Sequence, residues 1–165
     1  MNTLASKIRT GELQIVSYKE DMLKEMMELF YNTVHAVCAK DYNPQQLSRW
    51  APLNADVAAW KQRLYNNICK VAVIKNVIVG FSELTEDGHV DCMYVHKEYQ
   101  RKNIAHSLLQ ELQQIAEERN YEVLTTEASI TAKPFFEKHG FKVTQIKKKL
   151  YNGKEFTNYK MIKQL

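Results

Sequence analysis

The sequence predicts a mixed α/β domain of α+β character, with helices flanking a mostly antiparallel sheet of about seven strands. Three features predict it. Apolar residues recur at helical spacing through the first third of the 165 residues and switch to strand-like alternation at Lys70. Short turn signals, Lys75-Asn76, Asp87-Gly88 and Asn152-Gly153, separate apolar runs of strand length. Between the last two of these turns, two helical stretches alternate with a strand.

The elements follow in chain order. Leu13 to Tyr18 reads as a short strand. Met22, Leu23, Met26, Met27, Leu29, Phe30 and Val34 then place one apolar face on a helix from about Glu20 to Ala36. Asn43-Pro44 supplies a cap and a first-turn proline, and Asn54 is the expected cap of a further helix carrying Val57, Trp60 and Leu64. Val71–Ile74, Val77–Leu84 and His89–Val95 form an antiparallel meander. Leu108, Leu109, Leu112, Ile115 and Ala116 mark a helix from about Ile104 to Arg119, with a strand at Glu122–Glu127 and a short helix at Ala132–Lys138 that Gly140 ends. Phe141–Leu150 and Glu155–Ile162 close the chain as a hairpin. No linker or repeat divides the sequence, so residues 13–165 are expected to form one domain behind an N-terminal arm of residues 1–12.

Composition narrows the function classes. With 45% hydrophobic and 25% charged residues, the chain has the balance of a water-soluble globular protein. No apolar run reaches spanning length, and the first residues, with Lys7 and Arg9, lack a secretory apolar stretch. A cytoplasmic location and no membrane partner are therefore expected. Cys38, Cys69 and Cys92 are too scattered for a zinc site and read as reduced, buried thiols, so no metal is expected. A net charge of +4 is modest. Lys147-Lys148-Lys149 reads as a solvated edge, and no nucleic-acid partner is expected.

The chemistry concentrates where the His89–Val95 strand leads, through Gln100-Arg101-Lys102-Asn103-Ile104-Ala105, into a helix. Backbone N–H groups at a helix N-terminus have no intrahelical partner, and with two basic side chains beside them they form an anion site. Gln100, Asn103 and Ala105 occupy the fixed positions of a Gln/Arg-x-x-Gly-x-Gly/Ala signature, with Asn103 where glycine is usual. Asparagine is the residue other than glycine that best tolerates positive φ. Ser129, Ala132, Phe135, Phe136, Gly140 and Phe141 match a second motif about 30 residues downstream, Asn-x-x-Ala-x-x-Leu-Tyr-x-x-x-Gly-Phe. With both motifs in order, the chain resembles the GNAT acetyltransferase superfamily from about Leu13 to Leu165.

That resemblance implies acetyl-CoA as co-substrate. Its pyrophosphate is expected on residues 100–105 and its pantetheine arm along Met93, Tyr94 and Val95, with Ser129 and Phe136 nearby. The Val95 N–H is expected to polarise the thioester carbonyl. Direct attack by an amine needs a general base, and His89, Asp91 and Met93 alternate onto one strand face. Asp91 is the first candidate, His89 the second and Glu83, on the preceding strand, the third. Family members usually protonate the departing thiolate with a tyrosine; this chain has Phe136 there, leaving solvent, Tyr94, Tyr151 or Tyr159.

The acceptor pocket is expected in the first third, from His35, Asp41 and Tyr42, with Trp50 and Trp60 serving either the pocket or the core. The implied activity is N-acetylation of a primary amine on a small molecule or a peptide, by a monomer or homodimer. Asn103 and Phe136 keep open an alternative, a non-catalytic acyl-CoA-binding module, and failure to bind any CoA would instead favour a basic interaction domain.

Overall fold

A computed structural model describes residues 12–151 and 153–165, without the Tyr151 side chain. The arm expected at residues 1–12 lies outside this range except for Glu12, as do the turn residue Asn152 and the Tyr151 hydroxyl. Strand β1 (Gln14–Ser17) leads through a 3-10 turn into α1 (Leu23–Val37). Helices α2 (Pro44–Trp50) and α3 (Val57–Asn66) precede the meander β2 (Ile68–Ile74), β3 (Val77–Leu84) and β4 (His89–Val95). Then come α4 (Ile104–Glu118), β5 (Val123–Ala128), α5 (Lys133–Lys138), β6 (Lys142–Tyr151) and β7 (Lys154–Gln164).

The seven strands form one sheet in the order β1-β2-β3-β4-β5-β7-β6. Every pairing is antiparallel except β4 with β5. The turn chemistry operates as read: Lys75 and Asn76 both take positive φ, 49° and 63°, and Gly88 and Gly153 supply the others at 80° and 75°. Asn43 caps α2 through a reciprocal bond pair with Gln46. The cap of α3 is Asp56, whose Oδ1 accepts the Ala59 N–H at 3.1 Å, and not Asn54. Asn54 sits two residues too early to reach the first-turn amides.

Helices pack on both sheet faces. On one side α4 places Leu108, Leu109, Leu112 and Ala116 against Leu84, Val90, Val95 and Leu124. The approach is close because β3 carries Gly80, where a Cβ would stand 3.1 Å from Ile104 and 3.3 Å from Leu108. On the other side α1 and α3 cover Cys69, Val71 and Phe81 with Leu23, Met26, Leu29, Trp60 and Leu64. The Met-rich helix face is therefore core.

Candidate active site

Beginning with the sheet, β4 pairs with β5 only at His89–Thr125 and Val90–Thr126, and the strands then part. The His96 N–H donates to Val79 O at 2.8 Å, so in the alternation of an antiparallel ladder the N–H and C=O of Val95 point away from β3, toward the gap. The Val95 carbonyl is capped there by Thr33 Oγ1 at 3.0 Å and by the Gln100 amide nitrogen at 2.6 Å. Gln100 thus ties the following loop to the strand end.

The loop itself enters α4 through left-handed backbone. Arg101 and Asn103 adopt φ of 59° and 60°, so asparagine does take the left-handed conformation at the position usually held by glycine. Asn103 caps α4 without a side-chain bond, leaving the first-turn amides open, and Arg101, Lys102 and Asn103 are exposed. Lys102 Nζ lies 4.7 Å from the Tyr99 ring centroid. The Ile104 side chain is buried under β3 and β4, so only its backbone can serve this site.

A cleft of about 640 Å³ opens where the strands part. Met93, Tyr94, Val95, Gln100, Ala105, Ser129 and Phe136 line it together, as do His89 and Asp91. Its far wall is the loop from β5 to α5, held by residues of the first third. Tyr42 Oη accepts the Ile130 N–H at 2.9 Å, Asp41 accepts from Thr131 Oγ1 at 2.7 Å, and Ser129 Oγ accepts the Ala132 N–H at 3.1 Å. Tyr42 therefore lines the cleft while bracing it, and Asp41 staples the loop from outside the lining. His35 does not reach the cleft: its Nε2 pairs with Ala51 O at 2.8 Å and its ring lies against Tyr31.

One irregularity re-sorts the candidate bases. In the β3–β4 ladder Cys92 faces Glu83 and Val90 faces Leu84, which leaves Asp91 as an extra, unpaired residue. A bulge flips the alternation. Val90, Met93 and Val95 pack toward α4, whereas Cys92 and Tyr94 pack toward α1 and α3. His89, Asp91 and Met93 therefore do not share one face. His89 Nδ1 instead meets Thr125 Oγ1 at 2.8 Å across the first β4–β5 pair, and Asp91 is exposed in the cleft beside Glu83.

Glu83 is fully buried and already paired. Arg63 Nε reaches both its oxygens at 3.2 and 3.1 Å, Asn67 Nδ2 donates at 3.0 Å, and Arg63 Nη2 stands 3.0 Å from Oε1. Glu83, Asp91 and Cys92 bring ligand atoms within 4.8 Å of one another, but a guanidinium in that position opposes a cation, and the group is a charge-paired cluster. Burial pushes the Cys92 thiol and the Tyr94 phenol well up, and Cys38 to about 11, so these groups stay protonated at neutral pH. Trp50 Nε1 donates to Tyr94 Oη at 3.2 Å. Across the gap, the hydrogen bond from Lys147 holds the Glu127 carboxyl below its ordinary range.

Thr33, Arg63, Asn67, Thr125 and Glu127 were not singled out in the sequence. Only Glu83, a lone acid within an apolar strand, signalled that a buried partner was needed.

A splayed parallel pair, a bulged strand and a basic helix N-terminus at one end of the gap are the arrangement of a GNAT acetyltransferase. Residues 38–163 match the acetyltransferase (GNAT) domain family model, and the chain belongs to that family. It is 35% identical over 151 residues to an uncharacterised N-acetyltransferase, YafP, of Escherichia coli strain K12, covering 92% of this chain and 95% of the relative. A GCN5-related N-acetyltransferase of Rhodopseudomonas palustris superposes with a TM-score of 0.89 at 29% identity, covering 92% and 95% of the two chains. The PaiA N-acetyltransferase of Thermoplasma acidophilum, solved with coenzyme A, shares the fold at a TM-score of 0.78 and 17% identity, covering 93% and 99%. The chain is thus an acyl-CoA-dependent acetyltransferase by family and fold.

Proposed function

We propose that this protein transfers the acetyl group of acetyl-CoA to a primary amine of a small molecule or peptide, by direct attack with both substrates bound. The single observation carrying this reading is the parting of β4 from β5 after Val90, with the N-terminus of α4, uncapped by any side chain, at the open end. The family assignment supplies the acyl donor class, and the coenzyme A held by the PaiA enzyme supports the same donor here.

The residues present fit that donor. The open amides of α4, with Arg101 and Lys102, take a pyrophosphate. Met93 and Val95 offer backbone groups along the gap, and Phe136 packs beside it. The Val95 N–H, fixed by the capped carbonyl of its own residue, faces the negative charge that develops on the thioester oxygen, an interaction worth several kcal/mol. Asp91, which makes no side-chain hydrogen bond or ion pair among the described residues, takes the proton of the attacking amine, and His89 is the second candidate. Glu83 serves instead as the anchor of Arg63. The N–C bond forms, the C–S bond breaks, the amine proton passes to the base, and solvent protonates the thiolate, since Phe136 has no proton to give.

Isothermal titration with acetyl-CoA, with ATP as the polyanion control, tests this reading. A dissociation constant from about 1 to tens of micromolar, roughly 6 to 8 kcal/mol, is expected. Release of free thiol with an amine panel then follows the chemistry. Binding that ATP mimics equally, or none at millimolar ligand, would remove the donor site.

A further inference from the structure

Resting on the acetyltransferase reading above, we infer that the acceptor is an amine carrying a carboxylate, a free amino acid in its simplest form, and that Arg63 holds that carboxylate. The guanidinium is presented to the cleft on a built support. Asn67 fixes Glu83, fully buried Glu83 holds the Nε edge of Arg63, and the guanidinium carbon stacks 4.3 Å above the Trp60 ring centroid. Both planes of freedom are thereby removed.

What is left over points to a ligand. Nη1 has no acceptor among the described residues, and Nη2, although 3.0 Å from Glu83 Oε1, makes no well-aimed hydrogen bond. Nη2 is buried, the side chain as a whole remains 32% exposed, and Nη1 is the guanidinium nitrogen left for the cleft. A planar, weakly hydrated guanidinium with one edge already held is suited to a second carboxylate at its remaining Nη1 donors.

The opposite charge stands beside it. The Asp91 carboxylate makes no side-chain hydrogen bond or ion pair among the described residues, and its field reaches Arg63. A cation held from behind and an unpaired anion on the bulge, lining one cleft, match a zwitterion: carboxylate to Arg63, ammonium to Asp91. The ammonium then sits at the group assigned to accept its proton. Trp60, Phe30 and Tyr94 flank this position and give an apolar substituent a wall.

The test compares phenylalanine, phenylalaninamide and phenethylamine as acceptors by thiol release, in the native enzyme and in Arg63→Lys. The carboxylate is expected to raise kcat/KM over the amide about ten- to a hundred-fold, the range of a charge-assisted hydrogen bond or pair, and mostly through KM. The direction is diagnostic because the amide, with the more acidic ammonium, presents more free amine at neutral pH. In Arg63→Lys, which keeps the charge beside Glu83 and loses the fork, the ratio is expected to fall below about three. Equal or reversed preference in the native enzyme overturns the inference, whether or not the variant folds. So does an undiminished ratio in a folded variant. Acetylation of none of the three by an enzyme that binds acetyl-CoA refutes the inference alone, whereas no binding of acetyl-CoA withdraws the donor reading as well.

Discussion

At the scale of single residues, Asp91 owes its position to one extra residue in a strand. The bulge releases it from the ladder and turns it into the cleft, while Glu83 opposite is buried and spoken for by Arg63. Asp91→Asn removes proton acceptance with little change of shape, so turnover is expected to fall about 10²- to 10⁴-fold with acetyl-CoA affinity nearly unchanged. Titration calorimetry beside steady-state rates checks it, and an unaltered pH–rate profile would move the base to His89. Glu127 makes a different case. Its carboxyl, held low chiefly by the hydrogen bond from Lys147, contributes stability above its unfolded pKa and loses it as pH falls through the lowered folded value. Lys147 is 36% exposed, so screening limits the contribution to a few tenths to about 1 kcal/mol. Glu127→Gln is expected to lower the denaturation midpoint at pH 7, with the difference closing as pH drops below the ordinary carboxylate range.

At the scale of elements, the donor loop depends on how closely α4 approaches the sheet. A Cβ at Gly80 would meet Tyr94 O at 3.0 Å, Ile104 at 3.1 Å and Leu108 at 3.3 Å, and the first of these is backbone that cannot swing aside. Gly80→Val is therefore expected to cost about 1 to 3 kcal/mol in urea unfolding and to weaken acetyl-CoA binding by lifting the helix N-terminus. These local features were readable to different degrees. The turns at Lys75-Asn76 and Gly88, the Asn43 cap and the left-handed Asn103 were legible because each is decided by neighbours in sequence. The junction of strand, loop and helix was legible for the same reason, since the three are contiguous. The Arg63–Glu83 pair and the bulge at Asp91 were not. Arg63 and Glu83 come from a helix and a strand whose docking is set by the core between them, and alternation cannot announce the bulge that reverses it at Asp91. His35 was placed on the wrong errand because its partner, Ala51 O, is a backbone atom that no residue type reveals.

At the scale of the whole molecule, the parting of β4 and β5 divides a single sheet into two wings joined by two residue pairs and by side chains that cross the cleft's ends. The first wing carries α1, α3 and the meander, and the second carries α5 and the closing hairpin. Tyr42, Asp41 and Gln46 bind the first third to the second wing, through Ile130, Thr131 and Glu155 O. Strand backbone facing such a gap lacks the ladder bonds that protect a sheet interior, so the amides of Met93 and Val95 and the first turn of α4 are expected to exchange faster than those of β3. A donor that contacts both wings binds the folded state alone. By mass action it stabilises that state by about 2.7 kcal/mol at a hundred times its dissociation constant. Acetyl-CoA is accordingly expected to raise the melting temperature by several degrees and to slow exchange at residues 91–95 and 103–106 above all. Arg101→Glu with Lys102→Glu, both at exposed positions, should leave the melting temperature of the free protein within a degree or two while abolishing both effects. Slowed exchange confined to the α4 turn, with residues 91–95 unmoved, would mean that only the phosphates are bound and that the gap does not receive the pantetheine arm.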